Sequence, residues 1–206
     1  MIKLEDGRIL VATHNKGKIA EYADILGNQV DWLTLEAVGI SDDVPETGDT
    51  FIANATLKAV AYAQQTGLLT LADDSGLEVD ALSGQPGVLT ARYGGPGLTF
   101  PQRYSLLLQN MADVPDVHRT ARFRCVLVLA APNGAILGTT EGACDGVIAR
   151  APAGEGGFGY DPVFFLPEYG LTMAQLPASE KHRISHRGRA ARAIAPLLLR
   201  VSGKPG

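Results

Sequence analysis

Cysteine is scarce in this chain, and both long apolar runs and a strong excess of one charge are missing. The 206 residues include only two cysteines, Cys125 and Cys144. Two cysteines so placed form neither a disulfide framework nor a Cys-x-x-Cys redox pair, and they lack the spacing of a zinc site. We therefore expect both to be small buried hydrophobic side chains.

No apolar stretch approaches the length of a membrane span, and the first residues lack the apolar core of a signal peptide. The formal net charge is -4, with 46% apolar and 19% charged residues, which is typical of a soluble globular domain. This balance predicts no bulk attraction to nucleic acid and no membrane contact. We expect a cytoplasmic protein whose residues 1–206 form one domain, with enough length for a sizeable core.

Apolar runs alternate with amphipathic stretches, which predicts an α/β fold with a mixed twisted β-sheet and flanking helices. Strands are predicted over 9–13, 30–35 and 68–72, and a hairpin over 119–131 and 136–140 turns at Asn133–Gly134. Helices are predicted over 18–26, from Asp49 or Thr50 to 66, over 101–111 and from about 186, where Pro196 should kink or end the helix near Ala195.

Two adjacent aspartates follow the predicted strand 68–72, where the apolar run stops. Asp73, Asp74 and Ser75 precede Gly76. Buried charge is unfavourable, so a strand that ends in paired carboxylates needs a cation, a proton or water nearby. A bound divalent metal ion is the most specific hypothesis. The alternative is that these side chains cap a helix or a turn by accepting from backbone N–H groups.

An acidic loop at 42–48 supplies a second set of carboxylates before a helix start. Glu46 could join Asp74 in holding Mg²⁺, which prefers a few carboxylates and leaves its other positions to water and phosphate oxygens.

A polar loop at 13–18 joins a predicted strand to a predicted helix. It contains Thr13, His14, Asn15, Lys16, Gly17 and Lys18. Exposed N–H groups at a helix N-terminus suit phosphate oxygens, and so do ammonium groups. It is not a P-loop, because that motif requires Gly at the position of Ala12 and Ser or Thr at the position of Ile19. An ordinary capped turn with solvated lysines is the alternative.

A glycine-rich loop at 154–162 contains Phe158, Gly159, Tyr160 and Asp161. Its glycines allow close approach of the backbone to a ligand, and its rings could stack on a base. A flexible surface loop with Phe158 in the core is the alternative.

A basic segment at 181–189 lies in an otherwise acidic protein. It contains Lys181, His182, His186 and Arg187. Three explanations of this segment are compatible with the sequence: it binds a nearby anion, it forms a solvated helix face, or it contacts nucleic acid. His182 and His186 would face the same way on one helix, but no third ligand with metal spacing accompanies them, so zinc is not expected.

Taken together, these segments resemble the inosine triphosphate pyrophosphatase family over nearly the whole chain. The resemblance is carried by Thr13-x-Asn15-x-x-Lys18, Glu46-Thr47-Gly48 with Phe51 and Asn54, Ala72–Leu77, Pro86-Gly87 with Ala91-Arg92-Tyr93, Gly157–Pro162 and Ser185–Gly188. Each motif is weak alone, whereas all of them in this order form a specific pattern.

The resemblance implies a two-lobed α/β homodimer with an active-site cleft between the lobes. It implies Mg²⁺-dependent hydrolysis of ITP, dITP and XTP to the monophosphate and pyrophosphate. Glu46 and Asp74 would hold the metal, and Asp74 would orient or deprotonate the attacking water. Lys18, with Lys181 and Arg187, would bind the triphosphate, and Thr13, Asn15 and Ser75 would add neutral hydrogen bonds. Donors near Phe158, Tyr160, His186 and Arg187 would select a purine with a carbonyl at position six.

Two other functions remain open at this stage. A pyrophosphatase for modified pyrimidine or methylated nucleotides would suit the same charged segments. A nucleotide-sensing or RNA-binding module would use the basic segment and the aromatic rings without cleaving anything. The acidic pair argues against such a module, because a phosphate binder gains nothing from Asp73 and Asp74 unless a metal is present.

Overall fold

A computed structural model describes residues 7–27 and 30–203. In these ranges, seven strands form one sheet in the order β2-β1-β3-β4-β5-β6-β7. The strands are β1 Arg8–Val11, β2 Asp31–Thr34, β3 Leu69–Val79, β4 Thr120–Ala130, β5 Ile136–Ile148, β6 Phe164–Leu166 and β7 Leu171–Thr172. β1 pairs in parallel with β2 and β3, whereas the β5–β6 and β6–β7 pairs are antiparallel. The predicted mixed α/β sheet is confirmed.

Five α-helices accompany the sheet in the described part of the chain. They are α1 Lys16–Leu26, α2 Phe51–Thr66, α3 Phe100–Asn110, α4 Ala178–Ile184 and α5 His186–Ser202. α1 begins two residues earlier than predicted, because the Asn15 side chain caps it, and Thr50 caps α2. Among these described helices, none combines the length and the apolar character needed to cross a membrane.

The chain divides into two compact units. Unit 1 contains the described residues of Met1–Asp74, Cys125–Gly142 and Arg187–Gly206, and unit 2 contains Ser75–Arg124 and Ala143–His186. One buried cluster includes Ile9, Leu71, Leu127 and Ile194 in unit 1. Another includes Leu77, Leu107, Phe123 and Phe164 in unit 2. Each unit therefore has an apolar core of its own.

The predicted hairpin is confirmed for β4 and β5. The Ala131 N–H donates to the Ala135 carbonyl at 2.8 Å across the Asn133–Gly134 turn, and the Ile148 N–H donates to the Arg119 carbonyl at 2.9 Å at the other end. Cys125 and Cys144, on these two strands, are buried free thiols, as predicted.

The predicted end of the third strand is wrong. β3 does not stop at Ala72 but continues through Asp73 and Asp74 to Val79. Every residue from Leu69 to Asp74 is buried, and Leu77 and Val79 are buried again beyond the acidic pair.

The predictions for the C-terminal segment need two further corrections. α5 runs through Pro196 to Ser202 instead of ending near Ala195. Proline removes one helix hydrogen bond, and the buried stripe that includes Ile194 and Leu198 outweighs that loss. His182 and His186 do not share a helix, because Ser185 is extended between α4 and α5.

Candidate active site

The acidic pair lies beside the N-terminal end of α1 in unit 1. β1 ends at Val11, and the Ala12 N–H still donates to the Leu71 carbonyl, 2.8 Å away. β3 then continues past that bond to Asp73 and Asp74. Because side chains alternate along a strand, the two carboxylates leave β3 on opposite faces. They therefore meet different partners.

Asp73 is anchored by donors from α1 and α5. Its Oδ1 accepts from Lys18 Nζ at 2.7 Å, and its Oδ2 accepts from Tyr22 Oη at 2.5 Å and from Arg187 Nε at 2.8 Å. Burial alone would raise the pKa of this carboxyl. The charges of Lys18 and Arg187 and the hydrogen bonds from Lys18 and Tyr22 instead hold its pKa well below the usual range. Asp73 is therefore ionised and bonded through both oxygens.

Arg187, near the start of α5, also contacts a second buried carboxylate. Its Nη1 donates to Glu21 Oε2 at 2.6 Å, and the Arg187 side chain is 2% exposed. Burial would lower the pKa of the guanidinium, but Asp73, Tyr22, Cys125 and Glu21 raise it well above its ordinary value. The role of Arg187 as a substrate residue stays a prediction, and its contacts here link α5 to Asp73.

Asp74 faces α2, where Lys58 joins it to Glu46. Lys58 Nζ donates to Glu46 Oε1 at 2.6 Å, to the Asp73 carbonyl at 2.7 Å and to Asp74 Oδ1 at 3.2 Å. The other oxygen, Asp74 Oδ2, is buried and has no hydrogen-bond partner among the residues that the structure describes. Burial raises the pKa of Asp74 and outweighs the charge of Lys58, and Glu46 adds to the rise.

Glu46 and Asp74 fit a divalent cation that keeps several other ligands. A buried carboxylate oxygen without a partner costs about 1–3 kcal/mol, and a cation beside it would remove that cost. Mg²⁺ is usually bound by one or two carboxylates together with water and phosphate oxygens. Across residues 7–27 and 30–203, no group of three or more His, Cys, Asp and Glu side chains could hold a metal. The donor set therefore suits an ion that is only partly coordinated by the protein.

Lys58 is absent from the predicted site residues, because residues 50–66 are predicted only as a helix. Burial would lower the pKa of Lys58, but Asp74 and Glu46 raise it, so its ammonium group stays charged. The available signal was the recurrence of Asn54, Lys58 and Tyr62 every four residues, on a helix that also carries buried alanines. Glu21 and Tyr22, at the end of the second turn of α1, were missed in the same way.

The predicted phosphate loop leads into α1. The Asn15 side chain accepts from the Lys18 N–H at 3.2 Å, and Thr13 Oγ1 accepts from the Asn15 N–H at 3.1 Å. This cap satisfies one of the backbone N–H groups that have no partner within the helix at the start of α1. The structure thus places Lys18, Asn15 and Thr13 together.

His14, Lys16 and Gly17 complete that loop. His14 Nε2 lies 3.7 Å from Asp43 Oδ1, an exposed residue of the acidic loop. Lys16 is exposed and Gly17 is half-buried. Their part in substrate binding stays a prediction.

A second polar cluster lies in unit 2, within the glycine-rich loop and α4. Asp161 Oδ2 accepts from Lys181 Nζ at 2.5 Å and from the Phe158 N–H at 2.8 Å, and Lys181 Nζ lies 4.9 Å from the centre of the Phe158 ring. Gly157 has a φ of +70°, and a Cβ there would lie 2.0 Å from Asp161 Oδ2. Only glycine fits at this position.

The remaining predicted residues of unit 2 are largely buried. Tyr160 donates to the Thr90 carbonyl at 3.1 Å, and burial raises the pKa of its phenol. The His186 ring stacks on Phe123 with the ring centres 4.8 Å apart. Ser75 is half-buried on β3, and Gly159 has a positive φ of 69°. Tyr160 and His186 are thus part of the packing of unit 2, and their contact with substrate stays a prediction.

Comparison with known proteins gives a consistent result. The family model described as the Ham1 family matches residues 9–197. A dITP/XTP pyrophosphatase from Desulforamulus reducens is 50% identical over 197 residues, which cover 94% of this chain and 96% of that protein. A HAM1 protein from Coxiella burnetii has a similar structure, with a TM-score of 0.85, 39% identity, and coverage of 94% of this chain and 98% of its own. A nucleoside-triphosphatase, dITP/XTP pyrophosphatase, from Mycobacterium abscessus gives a TM-score of 0.74 at 44% identity, with coverage of 92% and 99%.

Proposed function

The chain belongs to the Ham1 family, and from that premise we propose that it hydrolyses ITP, dITP and XTP to the nucleoside monophosphate and pyrophosphate. It is a nucleoside triphosphate pyrophosphatase that acts on non-standard purine nucleotides. We further propose that residues 1–206 act as one domain, that the protein is a cytoplasmic homodimer, and that neither nucleic acid nor a membrane is a partner.

The observation that carries the proposed mechanism is the difference between Asp73 and Asp74. Asp73 is bonded through both oxygens and has a lowered pKa, whereas Asp74 has a raised pKa and an oxygen without a described partner. A general base needs an available oxygen and a pKa nearer to the working pH than that of an ordinary aspartate. We therefore assign water activation to Asp74 and anchoring to Asp73.

We propose that Glu46 and Asp74 hold Mg²⁺ together with the phosphates of the substrate. When bound, the ion would neutralise charge on the phosphate oxygens and lower the pKa of a coordinated water. The support is the pair of carboxylates bridged by Lys58 and the buried Asp74 Oδ2. Lys58 holds both carboxylates in place through a hydrogen bond to each, and a third bond to the Asp73 carbonyl fixes the ammonium group.

Lys18 is the proposed cation for the triphosphate. Its Nζ is held by Asp73, so its position is fixed before substrate arrives, which reduces the entropy lost on binding. Thr13, His14, Asn15, Lys16 and Gly17 lie along the same turn, where backbone N–H groups at a helix N-terminus favour phosphate oxygens. Phosphoryl transfer depends mainly on such positioning and charge neutralisation.

We propose that residues of unit 2 recognise the purine. Phe158 offers a ring face for stacking, and its N–H donates to Asp161, which also accepts from Lys181, a proposed ligand of the triphosphate. Ser75, Gly159, Tyr160, His186 and Arg187 complete the proposed set of substrate residues. A donor that faces the six-carbonyl of hypoxanthine or xanthine would face the amine of adenine without a bond, and each unpaired buried donor costs about 1–3 kcal/mol. ATP should therefore be a poor substrate.

Product analysis tests this proposal. Purified protein is incubated with ITP, XTP, GTP, ATP and a modified pyrimidine triphosphate, with Mg²⁺ or with EDTA, and the release of pyrophosphate and orthophosphate is measured. We expect pyrophosphate from ITP and XTP in Mg²⁺ and little product in EDTA. Release of orthophosphate alone, or equal rates in EDTA, would contradict the proposed chemistry. Preference for the modified pyrimidine would contradict the proposed purine specificity.

A further inference from the structure

Helix α2 bonds to the acidic loop from side chains four residues apart. Tyr62 Oη accepts from the Val44 N–H at 3.1 Å and donates to the Asp42 carbonyl at 3.0 Å. One turn earlier, Lys58 Nζ donates to Glu46 Oε1 at 2.6 Å. The loop thus follows the helix in the opposite chain direction.

Asn54, one further turn toward the start of α2, completes the series. Its Oδ1 accepts from the Gly48 N–H at 2.8 Å, and Asn54 is fully buried. We call the contacts made by Tyr62, Lys58 and Asn54 with loop 42–48 the helix–loop ladder. Tyr62 and Asn54 bond only to loop backbone in this ladder, and Lys58 bonds to the Glu46 carboxylate.

The spacing of the ladder has a simple geometric basis. Four residues of an α-helix rise about 6.0 Å, and two residues of extended chain advance about 6.6 Å. Bonds from positions 62, 58 and 54 can therefore meet loop positions 44, 46 and 48 in turn, with only a small mismatch. Glu46 lies at the middle contact, with a backbone bond on each side of it.

The end of the ladder at Gly48 is tightly packed. A Cβ at this glycine would lie 2.6 Å from the Ala53 Cβ and 2.9 Å from Asn54 Oδ1. A larger residue would therefore push the loop away from α2. Tyr62, at the other end, is only 2% exposed.

We propose that Tyr62 and Asn54 are positioning residues that set the place of the Glu46 carboxylate beside Asp74. They act through the backbone of the loop and do not touch substrate. This inference rests on the proposed metal role of Glu46. Holding the loop before the ion arrives removes the cost of ordering it, so the ladder should strengthen cation binding more than it accelerates the chemical step.

The test compares Tyr62→Phe and Asn54→Leu with wild type, and Thr66→Val serves as the matched control. Thr66 also lies on α2 and donates to the Tyr62 carbonyl at 2.7 Å. Within the described residues, it makes no hydrogen bond to loop 42–48. Tyr62→Phe keeps the buried ring, so it preserves a folded variant if Asn54→Leu unfolds. All proteins are studied without nucleotide, and circular dichroism confirms folding.

Two measurements follow. Cleavage after Glu46 by a glutamate-specific protease, with fragments identified by mass, reports on the loop, and we expect about fivefold faster cleavage in each ladder variant. The Mg²⁺ concentration that gives half of the maximal rise in melting temperature reports on the ion, and we expect it to increase about tenfold. Thr66→Val should match wild type in both measurements.

The outcomes separate this inference from the proposed function. A wild-type protein that Mg²⁺ stabilises, together with ladder variants that match it in cleavage and in Mg²⁺ response, would overturn the ladder alone. A wild-type protein with no Mg²⁺-dependent rise in melting temperature would overturn the metal role of Glu46, and the positioning role with it.

Discussion

The surroundings of Asp73 and Asp74 differ in how they balance charge. Around Asp73, the cations Lys18 and Arg187 match the carboxylates Asp73 and Glu21. Around Asp74, Lys58 is shared between Asp74 and Glu46. These ion pairs set two cations against two carboxylates around Asp73 and one cation against two carboxylates around Asp74.

This difference supports the two roles proposed for these aspartates, which are anchoring for Asp73 and water activation for Asp74. A buried ion pair with all its hydrogen bonds made is a rigid support, and removing one partner leaves a charge that is costly to bury. A pair of carboxylates that share one ammonium group is instead suited to binding a divalent cation. The proposed anchor and the proposed base therefore occupy neighbouring positions of β3.

The largest expected effect is the loss of activity in Asp74→Asn. An amide cannot take a proton from water and is a poor ligand for Mg²⁺, so kcat for ITP should fall about 10³-fold or more. Because burial raises the pKa of Asp74, the variant should be at least as stable as wild type. Pyrophosphate release and thermal melting measure the two effects, and activity near that of wild type would remove the proposed role.

Asp73→Asn should cost stability instead. The amide leaves Lys18 and Arg187 without their shared counter-charge, and breaking a buried ion pair in this way typically costs about 3–5 kcal/mol. Urea unfolding of this variant beside Asp74→Asn gives a direct comparison of the two positions. Equal stability of the two variants would contradict the division into anchor and reactive group.

Lys58→Met should sharpen the comparison by removing the cation that bridges Asp74 and Glu46. Glu46 and Asp74 would then repel each other, and we expect a loss of about 2 kcal/mol in EDTA. Mg²⁺ should restore more stability to this variant than it adds to wild type, because the ion replaces the missing charge. Melting temperatures with EDTA and with Mg²⁺ test this, and a smaller Mg²⁺ response than that of wild type would refute it.

Lys18→Ala removes one of the two cations that contact Asp73. Triphosphate use should weaken by about tenfold, since a single charge-assisted contact contributes about 1.5–3 kcal/mol. Binding of the monophosphate should change less, because it lacks the outer phosphates. Steady-state kinetics with ITP and competition by IMP make the comparison, and equal losses would place Lys18 at the base or sugar instead.

The smallest expected effect is a pH dependence of the difference in stability between wild type and Asp74→Asn. The folded-state pKa of Asp74 is raised, so its charged form destabilises wild type above that pKa. Wild type should therefore recover stability as the pH falls through the raised value toward the ordinary one near 4. Any advantage of the variant at neutral pH should therefore disappear in that window. Urea unfolding in EDTA at several pH values measures it.

Much of the architecture could be predicted from the sequence because its signals are local. The apolar runs of β1 and β4, the Asn133–Gly134 turn and the cap at Thr50 each depend on a few neighbouring residues. β6 and β7 have three and two residues, which is too short for a periodic pattern to appear. The continuation of β3 was missed because charged residues interrupt its apolar run, although tertiary partners neutralise that charge.

The candidate site was predictable in its acidic residues and less so in its cations. Asp74 and Glu46 stand out by type and spacing, but Lys58 belongs to a helix whose pattern looks ordinary. Its importance comes from a contact with Asp74 across 16 positions of the chain, and the Glu21–Arg187 contact spans 166. Sequence reasoning of this kind does not reveal such distant pairings.

The pairing of β1 with β3, which sets Ile9 opposite Leu69 and Val11 opposite Leu71, has a consequence for insertions and deletions. Adding or removing one residue just before the aspartates would rotate both carboxylates to the other side of the sheet. The chain would keep every ionisable group of the site, yet Asp74 would point at Tyr22 and Asp73 at Lys58. For the position of these carboxylates, the register of β3 matters as much as the residues it contains.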